Sequence, residues 1–504
     1  MAGDLLTIPE FLEQGANRWP DAPWWLAGEP VPVSRAAAYE SARRVAGGLR
    51  ALGVEPGDRV VVVLPNGLDF VRAWFGTVLA GGVVIGVNPA AAAAELAAVV
   101  AKAAASVVVA DEQRPLPAGV RTVEVGDLDA ASPLAPVTTS PEQPASCIQS
   151  SGSTGEPKFV VETHAMYTAA AEGFPFWLGL TEDDVLLTTL PLSHLNAQAY
   201  STLGSYGAGA RLALLPRFSA SSFWDQVRRY GATQFNAIGA MVEILMAQPP
   251  SPAERDHSMR LCYSAPAPTE QRHREIEERL GLRLVIGYAL SETPYGLISP
   301  VDRPAVYGSM GRPRQHPRLG EVNHARVVDG VGRDVAPGVV GELLLQNPFT
   351  TPGYLDQPEA SAQIMRDGWL RTGDLASCDA NGDYYFAGRL KETIRRRGEN
   401  LSPAEVENVI EAHPAVTSSA VIGVPSPLTE EDIKAFVMLR PGASLSPDEL
   451  VNWWSDRLPP YKRPRYLEFV DGWPLTETQK IAKTRLPRER TAAEADLQKG
   501  PIHA

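Results

Sequence analysis

The sequence predicts an α/β fold, with a large N-terminal domain of mixed α/β sheets that carries a small β-barrel-like unit and a smaller α+β C-terminal domain. The chain has 504 residues, and a single hydrophobic core organises at most roughly 250–300, so at least two domains are expected. Helical patterns alternate with short apolar strands over residues 1–110 and 147–300, which is typical of a mainly parallel sheet. Residues 320–390 instead hold short strands separated by Gly, Asp and Pro, which indicates an antiparallel unit.

The first 110 residues show the alternation element by element. The segment "AYESARRVAGGLRALGV" predicts a helix that ends at Gly53, and the Val run of "DRVVVVLP" predicts a buried strand. The alanine-rich segment from Asn88 predicts a helix that leads into the strand Val107–Ala110, because Ala is the strongest helix former. The most apolar window, "FVRAWFGTVLAGGVVIGV", contains Arg72 and a Gly-Gly break. It therefore predicts a buried helix and a strand, not a membrane span.

Later segments give the remaining organisation. Residues 130–146 are rich in Pro, Ser and Thr and predict a loop. The segment "DANGDYYFAGR" places an Asn-Gly turn before an aromatic strand, which predicts a β-hairpin. From residue 391 onward helical and strand patterns alternate over a domain-sized piece of chain. The charged stretch "GRLKETIRRRGEN" precedes this piece, and we place the domain boundary there.

Composition narrows the function. Hydrophobic residues make up 44% and charged residues 21% of the chain, as in soluble globular proteins. The net charge of −13 argues against nucleic-acid and membrane partners, so any anion site is built locally. Cys147, Cys262 and Cys378 are far apart and lack metal-ligand spacing, which fits a reducing cytoplasm. The segment "MAGDLLTIPEFLEQ" lacks the basic-then-apolar pattern of a signal peptide.

Residues 150–158, "SSGSTGEPK", follow a predicted strand. Gly152 and Gly155 are separated by two residues, so neither a Walker A loop nor the G-x-G-x-x-G pattern fits. Glycines still let backbone N–H groups approach an anion, the hydroxyls add donors, and Lys158 supplies charge. The segment predicts a phosphate-binding loop, with a Ser/Gly-rich surface turn as the alternative.

Five segments in order resemble the adenylate-forming superfamily, which includes acyl-CoA synthetases, peptide-synthetase adenylation domains and luciferases. "SSGSTGEPKFVVETH" resembles its phosphate loop and "LPLSHLNAQ" its gate loop. "GYALSET" resembles the Tyr-Gly-x-Thr-Glu motif. "DGWLRTGDLA" with "GRLKETIRRRGENLSPAEVE" resembles the ribose-binding aspartate and hinge, and "PLTETQKIAKTRL" the C-terminal lysine loop. Within the superfamily, segments such as "FSASSFWDQVRRYGAT" look closest to the carnitine/crotonobetaine-CoA ligase branch.

The resemblance implies a two-step reaction with ATP, Mg²⁺ and coenzyme A. A carboxylic acid first attacks ATP to give an acyl-adenylate and pyrophosphate, and the thiol of coenzyme A then displaces AMP. It also implies an N-terminal domain over residues 1–388, a hinge at 389–391 and a mobile C-terminal domain over 392–504. This domain is expected to rotate about Lys391 between the two steps.

Three residues match the family's catalytic positions. Lys480 matches the lysine that bridges the carboxylate and the α-phosphate, with a surface lysine as the alternative. Glu292 matches the magnesium ligand, and its alternative is a glutamate at the start of a helix. His194 matches the gate between the acyl pocket and the thiol tunnel, and a structural histidine is the alternative.

The resemblance also implies contacts to the nucleotide and coenzyme A. Asp374 would bind the ribose hydroxyls, Arg389 a ribose or phosphate oxygen, and Tyr288 the adenine ring by stacking. The predicted cofactor-binding residues are Ser150, Ser151, Gly152, Ser153, Thr154, Gly155, Lys158, Ala265, Pro266, Tyr288, Thr293, Asp374, Arg389, Arg395 and Gly398. The acyl pocket is expected to be lined by Asn196, Gln198, Thr293 and the segments 236–241 and 263–268.

Four residues depart from the family pattern near the nucleotide, and one of them, Ile286, is apolar where many members place an amide near adenine. Phe159 and Ala289 replace glycines, and Gln479 replaces the glycine before Lys480. Added bulk can stiffen or narrow a loop that must approach a ligand closely. Two alternatives therefore stay open beside a complete acyl-CoA synthetase: an enzyme that only transfers a pre-formed acyl-adenylate, and one that loads a carrier protein. The identity of the acid and the formation of a homodimer are also left open.

Overall fold

The computed structural model describes residues 5–111, 116–150, 158–396, 399–426, 431–475 and 481–497. The α-helices are α1 (Ile8–Arg18), α2 (Arg35–Ala51), α3 (Leu68–Leu79), α4 (Ala93–Ala103), α5 (Val125–Asp129), α6 (His164–Leu178), α7 (Gly204–Gly207), α8 (Phe223–Tyr230), α9 (Gly239–Met246), α10 (Glu270–Leu280), α11 (Pro358–Ile364), α12 (Pro403–Glu411) and α13 (Pro447–Ser455). A π-helix covers Asn196–Leu203, and short 3₁₀ turns cover Pro252–Glu254, Leu390–Glu392, Pro460–Lys462 and Lys483–Arg485.

The strands, in chain order, are β1 (Pro23–Trp25), β2 (Val33–Ser34), β3 (Arg59–Val63), β4 (Val83–Gly86), β5 (Val107–Ala110), β6 (Arg121–Val123), β7 (Pro144–Ser150), β8 (Lys158–Thr163), β9 (Val185–Thr188), β10 (Arg211–Leu214), β11 (Gln234–Asn236), β12 (Leu261–Ser264), β13 (Arg283–Leu290), β14 (Thr293–Ile298), β15 (Arg312–Pro313), β16 (His324–Val328), β17 (Gly341–Gln346), β18 (Met365–Arg366), β19 (Trp369–Cys378), β20 (Tyr384–Arg389), β21 (Ile394–Arg396), β22 (Glu399–Leu401), β23 (Val416–Pro425), β24 (Glu431–Leu439), β25 (Tyr466–Phe469) and β26 (Ala495–Asp496).

Two large sheets organise the N-terminal part. The first has the strand order β6-β5-β3-β4-β7-β8 and is parallel except for the antiparallel pair β7–β8. The second has the order β15-β14-β13-β12-β11-β9-β10-β1-β2, with a parallel centre and antiparallel ends. Such parallel sheets are covered on both faces, which explains the near-continuous Val and Leu runs of their strands. The predicted α/β class is confirmed.

The largest hydrophobic core joins these two sheets. Val62 of β3 and Leu212 of β10 belong to it, and helices α3 and α6 contribute Trp74 and Phe174. Successive side chains of a strand point to opposite faces, so Val61, between Val60 and Val62, packs with α4 in a second cluster on the other face of the first sheet. This placement accounts for the uninterrupted Val run of β3.

Two smaller units complete the chain. Strands β16-β17-β19-β18, with β20 paired to β19, form an antiparallel sheet, as the Gly- and Asp-rich pattern predicts. Its hairpin β19–β20 turns at Asn381-Gly382, and Gly382 has a φ of +84°. The C-terminal part has a four-stranded sheet, β23-β24-β25-β26, with its own core, in which Val406 of α12 packs with Trp454 of α13. The smaller C-terminal domain is thus confirmed, while the boundaries 1–388, 389–391 and 392–504 stay predictions.

Two further expectations can be compared with the fold. The helix that ends near Gly53 is present as α2, and Gly53 has a φ of +91°. The alternative interpretation of Glu292 as a helix start is wrong, because Glu292 lies in the turn between the antiparallel strands β13 and β14. Among the described helices, none has both the length and the apolar composition needed to cross a bilayer.

Gly311 lies where the second large sheet meets the antiparallel sheet. Its φ is +85°, and a Cβ atom placed on it would lie 1.9 Å from the carbonyl oxygen of Ile298 in β14. We expect Gly311→Ala to lower the free energy of unfolding by about 3 kcal/mol or more, because the methyl group is forced both into a left-handed conformation and against backbone.

Gly308→Ala is the matched control. Gly308 has a φ of +75°, and nothing would lie within 4 Å of its added Cβ atom, so we expect a loss of only about 1–2 kcal/mol. Urea unfolding followed by tryptophan fluorescence measures both variants. Equal losses would show that the close approach at Gly311 is unimportant.

Candidate active site

Three of the predicted nucleotide contacts form one cluster around Asp374. This carboxylate is only 3% exposed and lies on β19, directly opposite Arg389 of β20. The Arg389 guanidinium Nε lies 3.3 Å from Asp374 Oδ1. The Tyr288 hydroxyl of β13 donates to Asp374 Oδ2 at 2.7 Å. Burial raises the pKa of this hydroxyl well above its usual range, and the Asp374 charge raises it further.

This geometry fixes a carboxylate at a defined position. An ionised carboxylate is an acceptor with about four lone-pair directions, so it can accept from hydroxyl donors of a ligand as well as from protein groups. A vicinal diol, such as that of a ribose, presents two such donors. Hairpin register and cross-sheet packing therefore bring together Asp374, Arg389 and Tyr288, which are far apart in sequence.

A second cluster connects Glu292 with Lys158 through Tyr354. The Tyr354 hydroxyl donates to Glu292 Oε1 at 2.8 Å, and Lys158 Nζ lies 4.5 Å from the centroid of the Tyr354 ring. The ring face attracts the ammonium group while the hydroxyl orients the carboxylate. Burial, reinforced by the charge of Glu292, raises the pKa of Tyr354 above its usual range. An anionic and a cationic group are thus held on one aromatic side chain.

Tyr354 was missed by sequence reasoning. Its backbone forms an isolated antiparallel bridge with Val160 of β8, and Leu355 N–H donates to the Phe159 carbonyl at 2.9 Å. Thr351 N–H donates to the Glu292 carbonyl at 2.8 Å. The segment around Tyr354 is therefore bonded both to the strand that follows the glycine loop and to the turn that carries Glu292. A glycine followed by a tyrosine in "TPGYLD" was the available signal.

Part of the predicted site lies outside the described residues. The predicted site residues outside the described part are Ser151, Gly152, Ser153, Thr154, Gly155, Gly398 and Lys480, together with the side chain of Ser150. Gln479, one of the departures from the family pattern, also lies outside it. The ends of the glycine loop are described: Ser150 and Lys158 are paired across β7 and β8. Lys158, at the start of β8, therefore lies at the edge of the first sheet where this loop begins and ends.

His194 lies just before the π-helix Asn196–Leu203, and its carbonyl accepts from Gln198 N–H at 3.3 Å. The Gln198 amide is fully buried; it donates to the Leu192 carbonyl at 2.8 Å and accepts from the Tyr167 hydroxyl. Gln198 therefore holds the loop that carries His194. A π-helix of this length is rare, and such turns are frequent at functional sites.

The predicted acyl-pocket segments are neighbours. They follow the adjacent parallel strands β11 and β12, and Gly239 N–H donates to the Ala265 carbonyl at 2.8 Å. Pro266 follows through a cis peptide bond. Thr293, the first residue of β14, is buried and donates to Asn347 Oδ1 at 3.2 Å. Ala265, Pro266 and Thr293 thus occupy the ends of β12 and the start of β14.

Phe159 and Ala289, two of the departures from the family pattern, lie on β8 and β13. Phe159 is 1% exposed and packs into the cluster on the α4 side of the first sheet, so the expectation that its bulk narrows the phosphate loop is wrong for the side chain. Ala289 lies at a register shift between β13 and β14, and its φ is not among the positive values found in the chain. Neither position requires glycine in this fold.

The C-terminal residues lie on separate elements. Arg395 is on β21, and its backbone N–H donates to Glu431 Oε2 at 2.9 Å. Lys391 lies in the exposed 3₁₀ turn at the predicted hinge. Lys483, just after the predicted catalytic lysine, forms ion pairs with Glu392 at 3.0 Å and Glu407 at 2.8 Å. These ion pairs connect the lysine segment to the hinge turn and to α12.

Comparison with known proteins gives the class of this fold and site. Residues 12–355 match the model of the AMP-binding enzyme family, and residues 405–480 match that of the AMP-binding enzyme C-terminal domain. The chain therefore belongs to the AMP-binding enzyme family. The predicted superfamily and the prediction that the chain is an enzyme of this type are confirmed.

Individual relatives agree with this assignment. A crotonobetaine/carnitine-CoA ligase of Salmonella typhimurium is 31% identical over 489 residues, covering 90% of this chain and 92% of the relative. The structure of ATP-bound MatB from Rhodopseudomonas palustris superposes with a TM-score of 0.86 at 26% identity, covering 95% of this chain and 98% of the other. The anthranilate-CoA ligase AuaEII in complex with anthranoyl-AMP superposes with a TM-score of 0.87 at 26% identity, covering 95% and 97%.

Glu162 is a buried carboxyl group of β8 beside this site. It is fully buried, and neither carboxyl oxygen has a hydrogen-bonding partner among the described residues. Burial raises the pKa of Glu162 well above the ordinary glutamate value of about 4.5, and the charge of Glu292 raises it further. The folded protein therefore keeps a proton that the unfolded chain releases, so stability falls as pH rises above about 4.5.

We expect Glu162→Gln to remove this loss of stability with rising pH, because glutamine is neutral in both the folded and the unfolded state. The free energy of unfolding of the variant relative to wild type should increase between pH 5 and pH 8, by up to about 1.4 kcal/mol per pH unit. Urea unfolding at pH 5, 6.5 and 8 measures it, with the exposed Glu359→Gln as control. A difference that is constant with pH would contradict a protonated Glu162.

Proposed function

We propose that this protein is an AMP-forming acyl-CoA synthetase. It activates a carboxylic acid with ATP and transfers the acyl group to coenzyme A. One observation carries the proposal: the hairpin β13–β14 brings a fixed diol acceptor, Asp374 bonded to Tyr288, and a fixed carboxylate, Glu292 bonded to Tyr354, into one site. A nucleotide that binds its ribose at the first and its metal-bound phosphates at the second would span this hairpin.

Glu292 fits a magnesium ligand by its chemistry. Mg²⁺ prefers one or two carboxylates together with phosphate oxygens and water. Glu292 is half-buried, and its Oε1 is oriented by Tyr354. When bound, the ion would neutralise charge on the phosphates. Lys158, on the face of the same tyrosine ring, adds a second positive charge to this side of the site.

In the first step, a carboxylate oxygen of the acid bonds to the α-phosphorus, and the bond from that phosphorus to the pyrophosphate oxygen breaks. Both reactants are anionic, so the protein has to offset their repulsion. Lys480 would contact the acid carboxylate and the α-phosphate, and a single donor aimed at developing charge typically contributes about 2.7–4 kcal/mol. Asp374 and Tyr288 would hold the nucleoside still while this occurs.

In the second step, the sulfur of coenzyme A bonds to the acyl carbon, AMP leaves with both electrons of the acyl–oxygen bond, and the thiol proton is released. His194 would lie at the entrance to the acyl group. Rotation of residues 392–504 about the hinge 389–391 would withdraw Lys480 and bring the face with Arg395 and Gly398 to the site. The Phe159 side chain packs into the core of the first sheet, which favours the complete reaction over transfer alone.

Asp374→Asn tests the ribose contact. An amide replaces one acceptor oxygen with a donor and removes the charge that pairs with Arg389. We therefore expect ATP and AMP to bind at least about 10-fold more weakly. Isothermal titration calorimetry measures the affinity. Asp367→Asn is the control, because Asp367 lies in the neighbouring β18–β19 turn with a 90% exposed side chain. Unchanged affinity of Asp374→Asn would remove Asp374 from the nucleotide site.

Lys480→Ala separates the half-reactions. Acid-dependent exchange of labelled pyrophosphate into ATP should fall about 100- to 1,000-fold, because the cation between two anions is lost. Thioester formation from a synthetic acyl-adenylate and coenzyme A should persist. A wild-type enzyme without exchange on any acid, but with this transfer, would be the single-half-reaction enzyme. Faster transfer to a phosphopantetheine carrier protein than to coenzyme A would favour the carrier-loading alternative.

A further inference from the structure

Arg314 is a buried cation at the point where three predicted acyl-pocket segments meet. Its side chain is 1% exposed. The guanidinium donates to the hydroxyl of Tyr200 in the π-helix after His194 and to the hydroxyl of Tyr263, which begins the 263–268 segment. It also donates to the carbonyl of Pro294, adjacent to Thr293, at 2.8 Å. No sequence motif marks this residue.

The Arg314 cluster contains more donors than acceptors. A guanidinium has five N–H donors, and four hydrogen bonds to described residues are present, the fourth from Nε to the Leu297 carbonyl at 3.1 Å. Tyr263 accepts from Arg314, and its own O–H proton has no acceptor among the described residues. One N–H of Arg314 and the O–H of Tyr263 thus lack acceptors beside each other.

The charge of Arg314 is also uncompensated within the described residues. Its bonding partners are all neutral, and its guanidinium carbon lies 4.7 Å from the ring centroid of Trp177, 5.2 Å from that of Tyr200 and 5.6 Å from that of Tyr263. Burying a charge is costly unless it is paired, so an anion is the partner that this cluster lacks.

We propose that Arg314 and Tyr263 bind a second carboxylate at the distal end of the acid, and that the substrate class is a dicarboxylic acid. This rests on the proposed function, since it takes the segment 263–268 and the start of β14, which Arg314 contacts, as part of the acyl pocket. A carboxylate supplies two acceptor oxygens for the unsatisfied N–H and O–H donors and the charge that Arg314 needs. An acid with a quaternary ammonium group, as in the names of the Salmonella relatives, would instead meet like charge.

Three acids that share one carboxypropyl chain test the charge preference. Glutarate ends in a carboxylate, 5-methylhexanoate in an isopropyl group of similar shape, and 4-(trimethylammonio)butanoate in a cation. We expect kcat/KM for pyrophosphate exchange with glutarate to exceed the value with the neutral acid about 10-fold or more. We expect it to exceed the value with the cationic acid by a larger factor. The same three acids are also compared with chains one methylene group shorter and one longer, so that the preference is measured at the chain length that fits the pocket.

Arg314→Met and Tyr263→Phe test the residues. The readout is the ratio of kcat/KM for the dicarboxylic acid to that for its neutral analogue, because general damage to the enzyme cancels in a ratio. We expect this ratio to fall about 100-fold in Arg314→Met and about 10-fold in Tyr263→Phe. Arg312→Met is the control: Arg312 lies two residues before Arg314, on β15, but pairs with Asp383 at 3.0 Å, and its ratio should stay at the wild-type value.

The outcomes distinguish this inference from the proposed function. The dicarboxylate site would be overturned, with the synthetase left intact, if a neutral or cationic acid were the best substrate in every series. It would also be overturned if the ratio of kcat/KM values were unchanged in both Tyr263→Phe and Arg314→Met. If Arg314→Met does not fold, the ratio in Tyr263→Phe and the wild-type preference still decide. Failure of every acid in a broad panel to support either exchange or transfer would overturn the synthetase itself.

Discussion

The candidate site depends on tyrosine hydroxyls that fix two carboxylates, one on β19 and one in the turn between β13 and β14. Asp374 is bonded to Tyr288, and Glu292 is bonded to Tyr354. Each bond joins elements far apart in the chain. Because a charge-assisted hydrogen bond is stronger than a neutral one, two such bonds are enough to orient the acceptors before a nucleotide arrives. The register between β19 and β20 then places Asp374 directly opposite Arg389.

An acidic chain that handles anions has to concentrate its positive charge. The net charge is −13, yet Lys158, Arg389 and Arg314 all contact residues of the candidate site. Their surroundings differ: Lys158 lies on an aromatic face, Arg389 beside a carboxylate, and Arg314 among neutral groups. A cation already paired with a carboxylate offers little to a new anion, whereas one held by carbonyls and hydroxyls offers its full charge. This difference sets Arg314 apart from the other two.

Local sequence patterns predicted the fold and the family, whereas contacts between distant segments could not be predicted from them. The Val runs, the Asn-Gly hairpin and the ordered motifs identified the fold and the family, and the motifs predicted Asp374 and Glu292 as site residues. Tyr354 and Arg314 were not predicted from the sequence, because each contacts a distant segment: Tyr354 bonds to Glu292, and Arg314 bonds to Tyr200. A lone tyrosine or arginine has no spacing from which a role can be inferred. Phe159 was misjudged because alternation along β8, which no motif displays, sends its side chain into the core.

The ion pairs of Lys483 bear on how the C-terminal domain would deliver its lysine. Lys483 follows the predicted catalytic lysine by three residues and contacts Glu392 in the hinge turn and Glu407 in α12. Its side chain is 22% exposed, so water screens these contacts less than ordinary surface pairs. If residues 392–504 rotate as proposed, Glu392, Glu407 and the lysine segment move together. Lys483 would then move with the rotating domain as a whole, because both of its ion-pair partners belong to that domain.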